Sequence, residues 1–374
     1  MATAQVGSRP AIFDNPAKLI TAVLFGLIGV GLLVLIVPEM IDGGVQLFLQ
    51  RLFDGLDNGA VYAVVAIALV LIFKATTLIN FAQGELAMFG TFIAYVLAVP
   101  AEEGLIGGEI SFFEPLLGGI VGWNSFTIGP IPAGLILAIA VAMAISAALG
   151  ALIERTLIRP FDPTDHLPVV LITLGLFLIL FAIAGFLWNF NPRAFPSLFP
   201  NNPDDFVGIA GARLRFDVIG RWLVLSAIGL ILWFILSRTK AGLAFRAVSS
   251  NTESSRLVGV RVGRTLMFGW ALASAFGTLG GAIVAPKLFI KPDMMALVLI
   301  FSFAAATIGG LDSLGGAVVG GVSIGLIQSL LVGYLGDVDT AFNVLSLAIA
   351  FVVILIVLWF RPSGLFGTSR VERV

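Results

Sequence analysis

The sequence predicts an all-α membrane protein, a polytopic bundle of about ten transmembrane helices. Three observations lead there. The 374 residues are 59% hydrophobic and 11% charged, where soluble domains carry roughly a quarter charged residues. Mean hydropathy is +1.08. Apolar stretches near the roughly 20 residues that cross a hydrocarbon core at about 1.5 Å per residue recur at 19–38, 52–73, 77–99, 131–153, 167–188, 219–236, 265–285, 294–309, 314–335 and 341–360. No long flexible linker divides them, so one membrane domain is expected over 19–361, between polar tails at 1–18 and 362–374.

The first span follows Arg9 and Lys18 and runs into Val37-Pro38-Glu39 without a small-residue cleavage site, so it reads as a retained helix and not as a signal peptide. The second begins near Asp54, Asp57 and Asn58, expected at a hydrated outer end, and finishes at Lys74, whose stem can snorkel. The third carries Asn80, Gln83 and Glu85 within six residues, with Gly84 weakening the helix. Continuous helix would place Glu85 about 10 Å deep, where a charge costs on the order of 3 kcal/mol. Glu85 therefore faces the bundle. Hydrogen bonding between helices is weighed ahead of direct solute contact for this cluster.

Residues 100–130 hold Glu102, Glu103, Glu109 and Glu114 before the interfacial Trp123, and 189–218 are broken by Pro192, Pro196, Pro200 and Pro203. Both are expected to be solvated connections large enough to receive an extracytoplasmic partner. The span at 294–309 is short, which allows a broken or tilted pair with 314–335. Gly277-x-x-x-Gly281, Gly316-x-x-x-Gly320 and Gly321-x-x-x-Gly325 are spaced for close helix approach, within the chain before any subunit interface. Gly309, Gly310, Asp312 and Gly315 mark a tight turn, and no lysine follows to make it a phosphate cradle.

Charge sorting sets the orientation. With both termini inside, 14 of the 21 Lys and Arg fall in cytoplasmic segments, as the positive-inside rule requires. Six of them, Arg238, Lys240, Arg246, Arg256, Arg261 and Arg264, crowd one 27-residue gap opposed only by Glu253. There Ser250-x-x-Glu253 forms a capping box and Gly259 offers a left-handed stop, enclosing a helix of about two turns, roughly 12 Å long. A simple connection takes about 2 to 8 residues, so this loop is expected to be folded and to dock a cytoplasmic partner.

Absences narrow the function. There is no cysteine, hence no disulfide, thiol nucleophile or thiolate metal site. The single histidine, His166, sits in a polar loop, and no nucleophile–base set, metal cluster, nucleotide motif or nucleic-acid signature is present. Glu85 alone does not make the relay of a proton-coupled carrier. If the chain moves solute uphill, the energy comes from another subunit.

The stretches Phe53-Asp54-Gly55-Leu56-Asp57-Asn58-Gly59-Ala60-Val61-Tyr62-Ala63 and Ile79-Asn80-Phe81-Ala82-Gln83-Gly84-Glu85, then Met88-Phe89-Gly90, carry a resemblance. Arg246-Ala247 with Leu257-x-Gly259-Val260, Ile308-Gly309-Gly310 with Gly315-Gly316-Ala317, and Arg361-Pro362-Ser363-Gly364-Leu365-Phe366-Gly367 continue it in order. Together they resemble the permease subunits of branched-chain amino-acid ABC importers, with Gln83 where the family usually has histidine. The resemblance implies a non-catalytic membrane subunit in a bacterial-type cell membrane. It implies a paralogous permease, two cytoplasmic ATPase subunits that bind ATP, an extracytoplasmic substrate-binding protein, surrounding lipid, and no cofactor on the chain itself. It also implies that the short helix is a coupling helix, with Arg246, Ser250, Glu253, Arg256, Leu257 and Gly259 toward the ATPase, although Ser250-Asn251 and Ser255 stand where an acidic pair and an alanine are common. Asn58, Asn80, Gln83 and Glu85 would shape the pathway or pack helices. The alternatives are a same-family permease for urea, amides or another small polar solute, a stand-alone carrier or channel, and a non-transporting scaffold.

Overall fold

The computed structural model describes residues 16–76, 78–100, 119–122, 127–128, 131–161, 166–335, 348, 351–352, 354–359 and 364–367. Helices dominate. They are α1 (Pro16–Thr76, broken at Gly44 by a left-handed φ of 64°), α2 (Gln83–Ala98), α3 (Ala133–Ile153, continued by a π turn, Glu154–Ile158) and α4 (His166–Trp188). Then come α5 (Phe216–Arg238), α6 (Lys240–Ser250), α7 (Thr252–Leu257), α8 (Val262–Leu288), α9 (Ala296–Gly309) and α10 (Leu314–Leu335). Two antiparallel ribbons complete the described structure: β1 (Thr127–Ile128) with β2 (Ile131–Pro132), and β3 (Phe206–Ile209) with β4 (Ala212–Arg215).

Among the described residues six helical segments are long and apolar enough to cross a membrane: Gly44–Thr76, Ala133–Ile158, Leu167–Trp188, Phe216–Arg238, Val262–Leu288 and Leu314–Val332. They contain the expected spans 52–73, 167–188, 219–236 and 265–285 and overlap nearly all of 131–153 and 314–335. The expected spans 77–99 and 294–309 correspond to the shorter apolar helices Gln83–Ala98 and Ala296–Gly309. The span 19–38 lies in α1 ahead of Gly44, and 341–360 falls largely outside the described residues, as do the acidic positions of 101–118 and Trp123.

The second half of α1 is the axis of the bundle. Every residue from Ala60 to Ile72 is buried, against α10, α8 and α9. Its closest partner is α10, and glycines make the approach possible. A Cβ on Gly59 would stand 2.9 Å from the Val322 Cα, one on Gly55 2.9 Å from the Leu326 Cα, and one on Gly321 2.7 Å from the Ala63 nitrogen. A Cβ on Gly325 would run into the backbone of both Gly55 and Gly59. In lipid no hydrophobic gradient drives helices together, so close backbone packing carries the association. Tyr62 adds a hydrogen bond to Gln328 and a ring contact with Phe301 at 5.1 Å.

Each of the other glycine pairs also finds its partner inside the chain. Gly316 and Gly320 abut the α9 backbone at Gly309 and Ala305, while Gly277 and Gly281 receive Gln83 and Thr91 of α2. On the outer rim α3, α4 and α5 turn Ile136, Leu178, Phe186, Leu223 and Leu230 outward, as lipid-facing helices do. Trp188 fastens α4 to α2 by stacking on Phe92, with ring centroids 4.6 Å apart.

Replacing Gly325 by Leu forces α1 and α10 apart and is expected to lower thermal stability in detergent by about 1–3 kcal/mol, the usual cost of overpacking. Gly175→Leu, where a new Cβ meets nothing within 4 Å, is the matched control and is expected to be at least as stable as the parent.

Candidate functional site

The polar motif of the third expected span is not part of a continuous helix. Residues 78–82 are non-helical, and α2 begins only at Gln83. Leu78, Asn80 and Ala82 are nonetheless buried, so non-helical backbone runs inside the bundle. That is tolerated in a membrane protein only where protein groups satisfy it. The motif supplies those groups. The Asn80 side-chain oxygen accepts from the Ala82 amide (3.0 Å), its amide donates to the Gln83 side-chain oxygen (3.3 Å), and Gln83 Nε2 donates to the Ala273 carbonyl of α8 (3.0 Å). Ala273 lies roughly 16 Å along α8 by helix rise, so α2 starts near mid-bundle.

Glu85 thus occupies the first turn of α2, where the helix dipole favours a carboxylate, and not the position one-third along a full span that a continuous helix implies. It is 1% exposed, and its Oε2 has no hydrogen-bond partner among the described residues. Asn80 thus braces the start of α2 locally, and Gln83 ties it to α8. Gly277 opposite is the space Gln83 needs, since a Cβ there would come within 2.7 Å of the Gln83 amide.

A second polar centre lies toward the end of the bundle that carries β3 and β4. Asp57 is buried, not hydrated as the sequence implied, and it pairs with Arg221 of α5 and with Lys287 of α8 at 2.7 Å. Arg221 also bridges to Asp217 at 2.7 Å, which in turn holds Arg215 at 3.2 Å. Lys287 donates to Asn58 at 2.6 Å and keeps 38% of its side chain exposed. Three helices are therefore tied at one end by alternating charges. Arg221, Asp217 and Lys287 were not singled out from sequence; Asp217 and Arg221 sit at the start of one apolar run and Lys287 at the end of another, where each looks like an interfacial flank.

The proline-broken 189–218 segment is folded, with a β-hairpin and a buried anchor, while 201–204 and 207–211 are exposed as a solvated connection would be. Arg193 is fully buried and forms a backbone bridge with Ile290, and the β3–β4 hairpin is held to α1 by the Arg213 amide donating to Gln50 (2.9 Å).

At the opposite end the basic loop folds as two helices. Thr239 caps α6 by accepting from the Gly242 amide (3.2 Å), and Gly242 fits against the last carbonyls of α5, where a Cβ would overlap them. Ser250 is the last residue of α6. The cap of α7 is Asn251, whose side chain accepts from the Ser254 amide (2.8 Å), so the Ser250–Glu253 capping box does not form. Asn is as good a cap as Ser, and an extended Asn251 lets α7 turn away from α6. Ser255 is buried and donates to the Asn251 carbonyl (2.7 Å). Gly259 has a φ of 85°, the left-handed stop expected of it.

Phe245 and Val248 bury one face of α6, Phe245 lying against Ala75 of α1 and Gly269 of α8. The other face of α6 presents Arg246 and Ser250, and α7 adds exposed Arg256, with Leu257 88% and Val258 77% exposed at its end. The Glu253 side chain lies outside the described residues. Arg238, Lys240, Arg246, Arg256, Arg261 and Arg264 form no ion pair with another described residue.

The glycine turn sits beside this loop. Gly310 has a φ of 106°, Ser313 caps α10 by accepting from the Gly316 amide (3.0 Å), and Lys74 donates to the Asp312 carbonyl (3.2 Å), so Lys74 ties the turn down where snorkelling had seemed sufficient. Gly315 begins α10 with open space where a Cβ would stand. The C-terminal motif lies on the same turn: the Leu365 amide donates to the Ile308 carbonyl (2.8 Å) and the Phe366 amide to Gly309 (3.0 Å). Two motifs separated by about 55 residues are one piece of structure.

The charged cluster gives a direct test. Asp57→Asn leaves buried Arg221 in excess of charge and is expected to cost about 3–5 kcal/mol in thermal unfolding. Lys287→Met, at the partly exposed partner, is expected to cost no more than about 1 kcal/mol.

Residues 51–358 match the family described as branched-chain amino acid transport system / permease component. The high-affinity branched-chain amino acid transport system permease protein BraD of Pseudomonas aeruginosa is 26% identical over 332 residues, 87% of this chain and 98% of that protein. Its counterpart LivH of Escherichia coli is 25% identical over the same shares of the two chains. The Escherichia coli galactose/methyl galactoside import permease protein MglC is 26% identical over 52% of this chain and 56% of its own. With six long apolar helices among the described residues and a family match over residues 51–358, the chain belongs to the family of branched-chain amino acid transport permease components.

Proposed function

We propose that the chain is one membrane half of an ATP-driven importer for branched-chain or related small amino acids, paired in a bacterial-type cytoplasmic membrane with a paralogous permease. The observation that carries this is the α6–α7 pair. It is anchored on one face and offers an exposed apolar tip, Leu257 and Val258, with exposed Arg256 and Arg261 beside it in the chain. Apolar anchors inside a polar rim are how protein interfaces are built. A cytoplasmic ATPase subunit seats there, a second one seats on the partner permease, and ATP is bound and hydrolysed in those subunits and not by this chain.

The anchoring supports a mechanical role. Phe245 lies between the end of α1 and α8, so displacement of α6 bears on the axis of the bundle and on the helix that carries Lys287 in its last turn. Alternating access then requires that the two nucleotide states hold α6 differently, because a ligand shifts an equilibrium only by its differential contacts. The α8 end also meets the opposite face, where the β3–β4 cap is the surface offered to an extracytoplasmic binding protein. Of the four polar candidates, Asn80 braces the α2 start, Gln83 ties it to α8, Glu85 sits in its first turn, and Asn58 shares the partly exposed Lys287, the group available to meet a solute carboxylate. Amino acids are favoured over sugars because the permeases named for branched-chain amino acids align over 87% of this chain, the galactoside permease over 52%.

The test is co-purification of the tagged chain from its native membrane with measurement of ATP hydrolysis. A nucleotide-hydrolysing subunit is expected to accompany it, and Leu257→Asp is expected to weaken that association about tenfold or more, the scale of losing one interface anchor. A chain that emerges alone and still moves solute in vesicles is a stand-alone carrier, and the importer reading fails.

A further inference from the structure

Between α5 and α10, at the basic end of the bundle, lies an open crevice of about 520 Å³, inside the roughly 300–1,000 Å³ range of ligand sites. Its walls are apolar: Gly229, Trp233 and Leu236 on α5, Leu314 and Val318 on α10, and Ile67 of α1 at the back. Polar groups are confined to one end. Lys74 and Arg246 line it there, together with Ser313 and one acidic residue, Asp312. Lys74 donates to the Asp312 backbone carbonyl at 3.2 Å, leaving further ammonium donors, and Arg246 is exposed without an ion pair among the described residues. Trp233 is 53% exposed at the mouth, with the Arg238 guanidinium 5.5 Å above its ring. Trp and Arg in this arrangement mark the headgroup level of a bilayer.

We propose that this crevice binds a phospholipid with an anionic headgroup, its phosphate between Lys74 and Arg246 and an acyl chain along Gly229, Trp233 and Val318. Three features favour that occupant. The crevice opens beside Leu230, Ile231 and Phe234, all exposed, on the face that meets lipid. Its charge lies at one end and its apolar wall along its length, the distribution of an amphiphile; a free phosphate would leave the trench empty. A helix with side chains is about 10–12 Å across, so one turn would fill the volume and a spanning helix does not fit. The basic loop above supplies further unpaired cations that draw anionic lipid to this leaflet.

The test uses the full chain purified with its complex, washed in detergent, offered phosphatidylglycerol or phosphatidylcholine, and weighed with bound lipid by native mass spectrometry. Phosphatidylglycerol is expected to be retained at least about fivefold over phosphatidylcholine, and Lys74→Gln to lower its retention about fivefold, one interfacial cation. Gly229→Leu, which fills open space, is expected to reduce retention to the phosphatidylcholine level, while Gly175→Leu leaves it unchanged. Equal retention of both lipids, or retention that survives Gly229→Leu, overturns the site. Displacement by inorganic phosphate with no response to Gly229→Leu makes it a free-anion site and overturns the lipid. Cross-linking of Gly229→Cys to residues 19–38 or to another subunit, with no lipid retained, assigns the crevice to protein and overturns it as well.

Discussion

The bundle depends on one backbone contact, Gly55 and Gly59 of α1 against Gly321 and Gly325 of α10. Lipid tails are as apolar as leucine, so the helices gain nothing by hiding side chains from their surroundings and gain instead from atoms in close contact. Removing four Cβ atoms lets the two backbones meet, buries α1 from Ala60 to Ile72, and makes it the element on which α8 and α9 also pack. The lipid-facing helices α3, α4 and α5 surround this centre and tolerate far more exposure.

Around that axis the polar residues fall into two kinds of work. Asn80 and Gln83 satisfy backbone where α2 starts inside the bundle, a place with no water to do so. Asp57, Asp217, Arg221 and Lys287 join three helices by charge at the other end. The two ends of the bundle differ accordingly: toward the hairpin Arg215, Arg221 and Lys287 are paired with carboxylates, and around α6 and α7 six cations are left without ion partners among the described residues. The first arrangement ties helices to one another, and the second faces outward to a partner or a membrane surface.

The comparison of sequence with structure is instructive at particular residues. Gly321-x-x-x-Gly325 was legible as a close-packing signal, whereas its partner, Gly55-x-x-x-Gly59, was hidden among Asp54, Asp57 and Asn58. Gly259 was legible as a stop because only its left-handed φ requires that residue. The cap was misplaced by one residue, since Ser250 and Asn251 are both good caps and the choice depends on where α6 ends. Continuous hydropathy over 77–99 concealed a broken helix, because a buried non-helical turn and a buried helix have the same composition.

The sequence alone determined membrane residence, the positions of most spans, the basic loop and the motif order that marks the family, because each is a property of residues close together in the chain. Tertiary structure decided which polar residues are ties, which charges are neutralised, and that the Gly309–Gly310 turn is covered by Gly364 to Gly367. These are contacts between residues tens to hundreds of positions apart. Their energies depend on distances that local pattern does not contain, so Asp57 looked hydrated until Arg221 and Lys287 were found beside it.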